Sequence, residues 1–191
     1  MPDLAADALA VLRATDPPTA GQRVLRDRFA AHLDARPDGV FRTCRPDHLT
    51  ASTVVLSADA SHVLLTLHAK ARRWFQLGGH LEAADGSLLG AARREAAEES
   101  GLDVVLDPVP VHLDEHAVPF CGPDGEARHL DVRFVAVARA GARHAVSDES
   151  LDVRWWPVDD LPHPDLGEPV RLARARVLRT DAREAGDPSS P

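Results

Sequence analysis

The stretch GGHLEAADGSLLGAARREAAEESGL, residues 78–102, decides the fold. Its second half is rich in alanine, leucine, arginine and glutamate, all of which favour a helix. Ser87 or Asp85 can cap the beginning of this helix, and Gly101 stands where a left-handed residue commonly ends one. The pattern therefore predicts a helix over residues 87–100 that follows a glycine-containing turn.

Three glutamates lie close together on the predicted helix. Glu95, Glu98 and Glu99 are spaced i, i+3 and i+4, so their carboxylates project from one face. Like charges at this spacing cost about 0.2–0.5 kcal/mol per pair. One explanation is a solvated acidic stripe with Arg93 and Arg94 as partners. The other is a site for a hard divalent cation such as Mg²⁺, which prefers oxygen ligands and keeps positions open for water and phosphate oxygens.

The segments around this helix have strand and helix patterns of their own. Helices are predicted over residues 3–35, with a break at residues 16–18 where two prolines follow an aspartate, and over residues 168–183. The predicted strands cover residues 51–58, 62–69, 74–77, 102–116, 129–140 and 152–157. We expect a short hairpin between the first two strands and a helical turn after the last. This order indicates an α/β sandwich with a mixed sheet.

The composition fits one globular domain and excludes several classes of protein. The chain has 191 residues, and 30 acidic residues outweigh 22 basic ones to give a formal net charge of -8. This charge repels a phosphate backbone, so a long nucleic acid is disfavoured as a partner. No apolar run approaches the roughly 18 residues that a membrane span needs, and the first residues lack the basic region of a signal peptide. We therefore expect a cytoplasmic protein with no membrane partner.

The two cysteines are expected to be free thiols. Cys44 and Cys121 are too few for a disulfide framework, and they lack the spacing of metal ligands.

A longer pattern connects the glycines to the glutamates. Gly79 is followed after five residues by Asp85, and eight residues later by Arg94-Glu95, then by Glu98-Glu99 and Gly101. This string resembles the signature of the Nudix hydrolases, which is Gly, five residues, Glu, seven residues, Arg-Glu, an aliphatic residue, any residue, Glu-Glu, any residue, Gly and an aliphatic residue. The chain departs from it in having Asp85 in place of glutamate and one additional residue before Arg94. These departures leave the role of Asp85 open.

The resemblance implies the fold, the domain limits and the class of reaction. It predicts a Nudix-type α/β/α sandwich with a mixed β-sheet over residues 48–185, after an N-terminal helical extension of residues 1–47 and before a disordered tail of residues 186–191. The expected activity is hydrolysis of a diphosphate linkage in a small-molecule nucleoside diphosphate derivative, with Mg²⁺ or Mn²⁺ as cofactor. Many members of the family form dimers, so the resemblance leaves a homodimer open.

The resemblance also implies roles for individual residues. Glu98 and Glu99 would be the principal metal ligands, and Glu95 a further ligand or the base that deprotonates the attacking water. Arg94 would orient the glutamates through charge-assisted hydrogen bonds. The Gly79 carbonyl and a carboxylate outside the signature, for which we favour Glu149, complete the expected metal ligands.

Four residues outside the signature helix are predicted to contact the substrate: His80, Arg73, His129 and Asp131. His80 follows the glycines directly and could donate a hydrogen bond to a phosphate. His129 and Asp131 alternate on a predicted strand with Arg133, which places all three on one face of the sheet. That face could line the substrate cleft or be a polar edge in solvent. Phe120 and the tryptophans are expected in the core, with base stacking as the alternative.

Three other functions remain to be weighed. The sequence HLDEH, residues 112–116, fits the H-x-x-E-H pattern of inverted zinc metallopeptidases, but that site requires a helix and the flanking prolines indicate a strand or loop. A Nudix-fold module that senses a nucleotide without cleaving it is the main alternative, although such a module has no need of three glutamates. A diphosphate isomerase of the isoprenoid type is a weaker resemblance, because both cysteines lie away from the signature helix.

Overall fold

The structure is a computed structural model that describes residues 3–119, 121, 125–146 and 150–186, with the side chains of residues 181–186 left out. Its helices are α1 (Leu4–Ala14), α2 (Ala20–Ala35), α3 (Leu88–Ser100) and α4 (Gly167–Gly186), with short 3-10 helices at Pro37–Val40 and Pro164–Leu166. Its strands are β1 (Asp47–Leu56), β2 (His62–His68), β3 (Trp74–Phe75), β4 (Leu77–His80), β5 (His112–Ala117), β6 (Arg128–Val137) and β7 (Ser150–Pro157). None of the helices in this described part combines the length and apolarity needed to cross a membrane.

The seven strands form one mixed sheet around β1. Along its main path the order is β3-β2-β1-β6-β5, while β4 pairs with β1 and β7 pairs with β2. The β1·β6 pair is parallel over its whole length, whereas the other pairs are antiparallel. Nine of the ten residues of β1 are buried, as expected for a central strand that is covered on both faces.

Helices cover both faces of this sheet. Successive side chains of a strand point to opposite faces, so Val55 packs in the core under α1, α2 and α3, while Val54 and Leu56 pack in the core under α4. The two cores sandwich the sheet between helical layers. The α/β/α sandwich with a mixed β-sheet that the sequence predicts is confirmed.

The N-terminal helices are built into this sandwich. Leu12 and Phe29 are fully buried in the same core as α3. The side chain of Gln22 donates to the Leu113 carbonyl at 2.9 Å and accepts from the Leu113 N–H at 2.7 Å, so α2 completes the hydrogen bonds of strand β5. Helices α1 and α2 thus precede the expected catalytic domain in sequence but share its core.

Asp7 of α1 caps the N-terminus of α3. Its carboxylate accepts a hydrogen bond of 2.7 Å from the Leu88 N–H, one of the first-turn donors that have no partner within the helix. We expect Asp7→Ala to lower the free energy of unfolding by about 0.5–2 kcal/mol, the usual cost of losing a cap, as measured by urea denaturation. Asp34→Ala, which breaks an exposed pair with Arg13, serves as the control and should change stability by less than about 1 kcal/mol. Equal effects of the two substitutions would contradict a capping role for Asp7.

Most predicted elements are confirmed, and one is corrected. The break between α1 and α2 falls at residues 15–19, α3 begins and ends within a residue of its predicted limits, and the β1·β2 hairpin forms. Residues 102–111, however, are not a strand: apart from an isolated bridge between Leu106 and Ala136, strand β5 begins only at His112. Pro108 and Pro110 explain this, because proline cannot donate to a ladder. Residues 158–163 form turns before the 3-10 helix.

Candidate active site

Helix α3 packs its alanines against the sheet and brings Glu95 and Glu99 to strand β4. Ser87 accepts a hydrogen bond from the Gly90 N–H, and Gly101 ends the helix in the left-handed region at φ 70°. Ala91, Ala92 and Ala96 are fully buried against the sheet. Small side chains here allow close approach, and the Thr53 hydroxyl donates to the Ala92 carbonyl at 3.2 Å. This close packing fixes the position of the glutamates relative to strand β4.

The glycine pair lies directly on the acidic face. The Gly78 N–H donates to the Glu99 carboxylate at 2.8 Å. A Cβ at Gly78 would lie 2.2 Å from the Ser52 Cβ, and one at Gly79 would lie 2.7 Å from both carboxylate oxygens of Glu95. A side chain at Gly78 would clash with the backbone of strand β1 at Ser52, and one at Gly79 would displace the Glu95 carboxylate, so the glycine pair lets β4 lie directly against β1 and α3. The loop between β4 and α3 folds back and brings the glycine backbone to the carboxylates.

Arg94 ties the acidic groups to one another. Its guanidinium donates two hydrogen bonds to Asp85 at 2.9 and 3.0 Å, one to Glu95 at 3.0 Å and one to Glu98 at 2.9 Å. A fifth, of 2.9 Å, goes to the His80 carbonyl. Arginine has five N–H donors in a fixed plane, and each makes a contact here. Arg94 therefore links the end of strand β4, the following loop and two of the three glutamates.

Asp85 has a clear structural role. Its side chain is only 6% exposed, and it accepts a hydrogen bond from the Glu82 N–H at 2.7 Å as well as the two from Arg94. Burial alone would raise the pKa of Asp85, but these hydrogen bonds and the guanidinium charge hold the pKa below its usual value. The hydrogen bonds between Arg94 and Asp85 raise the pKa of Arg94, against the opposing effect of burial. Asp85 has a shorter side chain than the glutamate of the family signature. It nevertheless anchors Arg94 of helix α3, across a loop that is one residue longer.

The three glutamates differ in their exposure. The side chain of Glu95 is 15% exposed and that of Glu98 is 58% exposed, while Glu99 is buried. Asp85, Glu95 and Glu98 share the guanidinium of Arg94, so these carboxylates outnumber the positive charge that they contact there. Hard oxygen donors with an excess of negative charge fit Mg²⁺ or Mn²⁺. Glu149, predicted as a further ligand, lies outside the described residues, as does Phe120.

The residues predicted to contact substrate lie in three different settings. Arg73 is half-exposed and pairs with Asp165 at 2.9 Å. Asp131 is buried and accepts hydrogen bonds from four side chains: Thr50, Ser52, Gln76 and Arg133. The strand face that carries Asp131 and Arg133 is therefore interior, and the alternative of a solvent-facing edge is wrong. Contact of Arg73 and Asp131 with a substrate stays a prediction.

His80 and His129 lie together in a group that the sequence did not reveal. With His48 and Cys121 they form a set whose possible ligand atoms all lie within 4.8 Å of one another. Burial, followed by the charges of neighbouring histidines, lowers the pKa of His80 to about 4 and that of His129 to about 3. Both are therefore neutral imidazoles at pH 7. The four residues are far apart in the chain, so no spacing rule could have detected the set.

The structure agrees with the predictions for Trp74, Trp156 and the HLDEH sequence. Trp74 and Trp156 pack edge to face with ring centroids 5.3 Å apart and contact the second core, as expected. Residues 112–116 form a strand, which separates His112 and His116 along its length and confirms the argument against a metallopeptidase site. Both cysteines are free thiols, as predicted.

Comparisons with known proteins agree with this geometry. A profile described as NUDIX domain matches residues 46–178. A NUDIX family hydrolase from Clostridium perfringens superposes with a TM-score of 0.55 at 26% identity, over 70% of this chain and 97% of that one. An Ap4A hydrolase from C. elegans gives a TM-score of 0.58 at 16% identity, over 69% and 98% of the two chains.

A NUDIX domain that was solved with a bound nucleotide derivative has a similar fold. The NUDIX domain of Shewanella oneidensis NrtR, solved with ADP ribose, gives a TM-score of 0.51 at 18% identity, over 81% of this chain and 97% of that one. No curated protein matches the sequence. The profile covers more than half of the chain and includes the glycine pair, Asp85 and all of helix α3. The chain therefore belongs to the NUDIX domain family.

Proposed function

We propose that this protein uses Mg²⁺ or Mn²⁺, held by helix α3, to hydrolyse the diphosphate linkage of a nucleoside diphosphate derivative. The observation that carries the proposal is the packing of the Gly78-Gly79 backbone onto the carboxylates of Glu95 and Glu99. The Gly79 carbonyl, Glu95, Glu98 and Glu99 would hold the cation. When bound, the cation supplies charge neutralisation of the diphosphate and a lowered pKa for the attacking water.

Besides holding the cation, the residues of this chain have two tasks in the reaction. Water attacks phosphorus, the bond to the bridging oxygen breaks, and the proton of the water passes to a carboxylate, for which Glu95 is placed beside the glycine backbone. Arg94 keeps Glu95 and Glu98 in position. The phosphate products separate without a covalent enzyme intermediate.

The substrate is a small nucleotide derivative in this proposal. Among proteins of similar fold, one is an Ap4A hydrolase and another binds ADP ribose. Because the chain has a net charge of -8, an anionic substrate needs a metal ion or a local basic cluster at its site, and long nucleic acid is disfavoured. The cytoplasm, where nucleotides are abundant, is the compartment that suits this substrate class.

A substrate panel tests the proposal directly. The full chain is incubated with Mg²⁺ in ¹⁸O-labelled water, in separate reactions that each contain one compound: ADP-ribose, a nucleotide sugar, a dinucleoside polyphosphate or a nucleoside triphosphate. The products are identified by mass. We expect cleavage within the diphosphate linkage of at least one compound, incorporation of one labelled oxygen into a phosphate product and no turnover after chelation.

The same panel separates an enzyme from a sensor. A sensor would bind one of these compounds in calorimetry and release no product from any of them. Binding without turnover in the presence of Mg²⁺ and of Mn²⁺ would reject the proposed reaction.

A further inference from the structure

Four side chains from four segments meet beside the glycine pair. His48 lies near the beginning of β1, His80 at the end of β4, His129 near the beginning of β6, and Cys121 between β5 and β6. Because β1 lies between β4 and β6 in the sheet, the three imidazoles are neighbours, with ring centroids 4.9 to 5.3 Å apart. Cys121 approaches them from the loop, and its Sγ is 3.7 Å from His48 Nε2 and 3.4 Å from His80 Nε2.

The group is protected from solvent but incompletely hydrogen-bonded. His48 is fully buried and Cys121 is 3% exposed. Nε2 of His129 is buried and has no hydrogen-bond partner among the described residues. A buried polar atom without a partner costs about 1–3 kcal/mol, so such an atom calls for an explanation. A ligand at the centre of the group would supply one.

We propose that His48, His80, Cys121 and His129 form a second metal site, which takes a borderline divalent ion such as Zn²⁺ and is separate from the oxygen-donor site of helix α3. Imidazole nitrogen and thiolate sulfur are donors that zinc prefers, whereas Mg²⁺ requires oxygen. Four protein donors fill a tetrahedral shell, which is the arrangement of a structural rather than a catalytic zinc.

The distances agree with this assignment. With Zn–S of about 2.3 Å and Zn–N of about 2.0–2.1 Å, tetrahedral geometry places a sulfur and a nitrogen ligand about 3.6 Å apart. The two Sγ to Nε2 distances, 3.4 and 3.7 Å, lie on either side of this value. All four ligand atoms already lie within 4.8 Å of one another, so rotations of the side chains suffice to close the shell.

Two arginines near the group affect its affinity for a cation. Arg42 and Arg45 are near enough to His80 to lower its pKa, and Arg45 also donates to the Cys121 carbonyl. Their positive charge disfavours the binding of a cation, and the negative charge of the Cys121 thiolate must offset this effect. We therefore expect the loss of Cys121 to lower the affinity for the metal more than the loss of any other ligand. Metal binding would hold Cys121, which lies between β5 and β6, against His80 at the end of β4, next to Gly79. His80 and His129 would then serve as ligands and not as contacts to substrate phosphates.

Cobalt titration tests the site without reference to activity. The reduced full-length protein, stripped by a chelator and returned to millimolar Mg²⁺, is titrated with Co²⁺. We expect a thiolate-to-cobalt charge-transfer band and intense tetrahedral ligand-field bands that saturate at one equivalent and disappear when Zn²⁺ is added. Zn²⁺ should also raise the Tm of the wild-type protein, because it binds the folded state.

Matched variants identify the ligands. Cys121→Ser should lose the charge-transfer band, and its affinity for Zn²⁺ should fall by more than the roughly 10–100-fold that an outer-shell partner costs. Cys44→Ser, which changes the other buried cysteine, should keep the full spectrum, as should Glu99→Gln. His129→Gln should lower zinc affinity while circular dichroism shows that it is folded. The proposal is overturned if wild-type protein gives only weak octahedral bands, if Cys121→Ser keeps the sulfur band, or if inorganic phosphate binds these histidines while Co²⁺ does not.

Discussion

Glu99→Gln is expected to lower kcat by about 10²–10⁴-fold with little loss of stability. Glu99 is buried where strand β4 meets helix α3, and its carboxylate accepts a hydrogen bond from Gly78. Glutamine has the same shape and keeps an acceptor for that N–H, so the packing is preserved. It removes the negative charge that a divalent cation requires, so the cation is held less tightly and the reaction loses part of the charge stabilisation that the cation supplies. Steady-state kinetics on the best compound of the panel, with the Mg²⁺ concentration varied, measures the effect.

A matched substitution provides the control for this experiment. Glu168→Gln makes the same chemical change at a half-exposed glutamate at the beginning of helix α4, on the opposite face of the sheet. Its kcat should stay within about twofold of the wild-type value, as for a surface change away from the site. An unchanged kcat in Glu99→Gln would remove helix α3 from the mechanism. A fall in both variants would point to damage of the fold instead.

The fold and the acidic site could be predicted because their information is local in the chain. Ser87, the alanines and Gly101 specify helix α3 within one short segment, and the spacing of Glu95, Glu98 and Glu99 places them on one face in any helix. The glycine pair adjoins the same segment. Local patterns of this kind are visible in a sequence before any tertiary contact is known.

The histidine and cysteine group could not be predicted because tertiary structure alone brings it together. His48 and His129 become neighbours through the parallel pairing of β1 with β6, and residue 48 pairs directly with residue 129. His80 joins them through the antiparallel pairing of β4 with β1. Register between distant strands depends on the whole hydrophobic pattern, so the sequence contains no short motif for this group. The burial of Asp131 could not be predicted for the same reason, since its partners Thr50 and Ser52 lie on another strand.

Arg94→Met is expected to destabilise the protein by about 3–5 kcal/mol, the cost of removing one partner of a buried ion pair. The side chains of Arg94 and Asp85 are 23% and 6% exposed, so solvent screens their interaction weakly. Among the described residues, Asp85 would keep a buried charge with only the Glu82 N–H as a hydrogen-bond donor. Arg94→Lys should lose less, because an ammonium restores the charge but cannot form the two-pronged contact. Urea denaturation at pH 7 measures both variants.

A double-mutant cycle and its pH dependence distinguish a specific pair from a general loss of packing. Asp85→Asn in the Arg94→Met background should recover part of the stability, with a coupling energy of at least about 0.5 kcal/mol. The folded-state pKa of Asp85 lies below its usual value. The stabilisation is therefore complete above the unfolded pKa of about 3.9 and disappears as the pH falls through the lower folded value. Wild-type protein and Arg94→Met should thus approach equal stability in acid. A gap that is unchanged at low pH, or a coupling energy near zero, would show that Arg94 acts through packing alone. The position of the catalytic carboxylates would then depend on helix α3 and the glycine pair, and not on the Arg94–Asp85 pair.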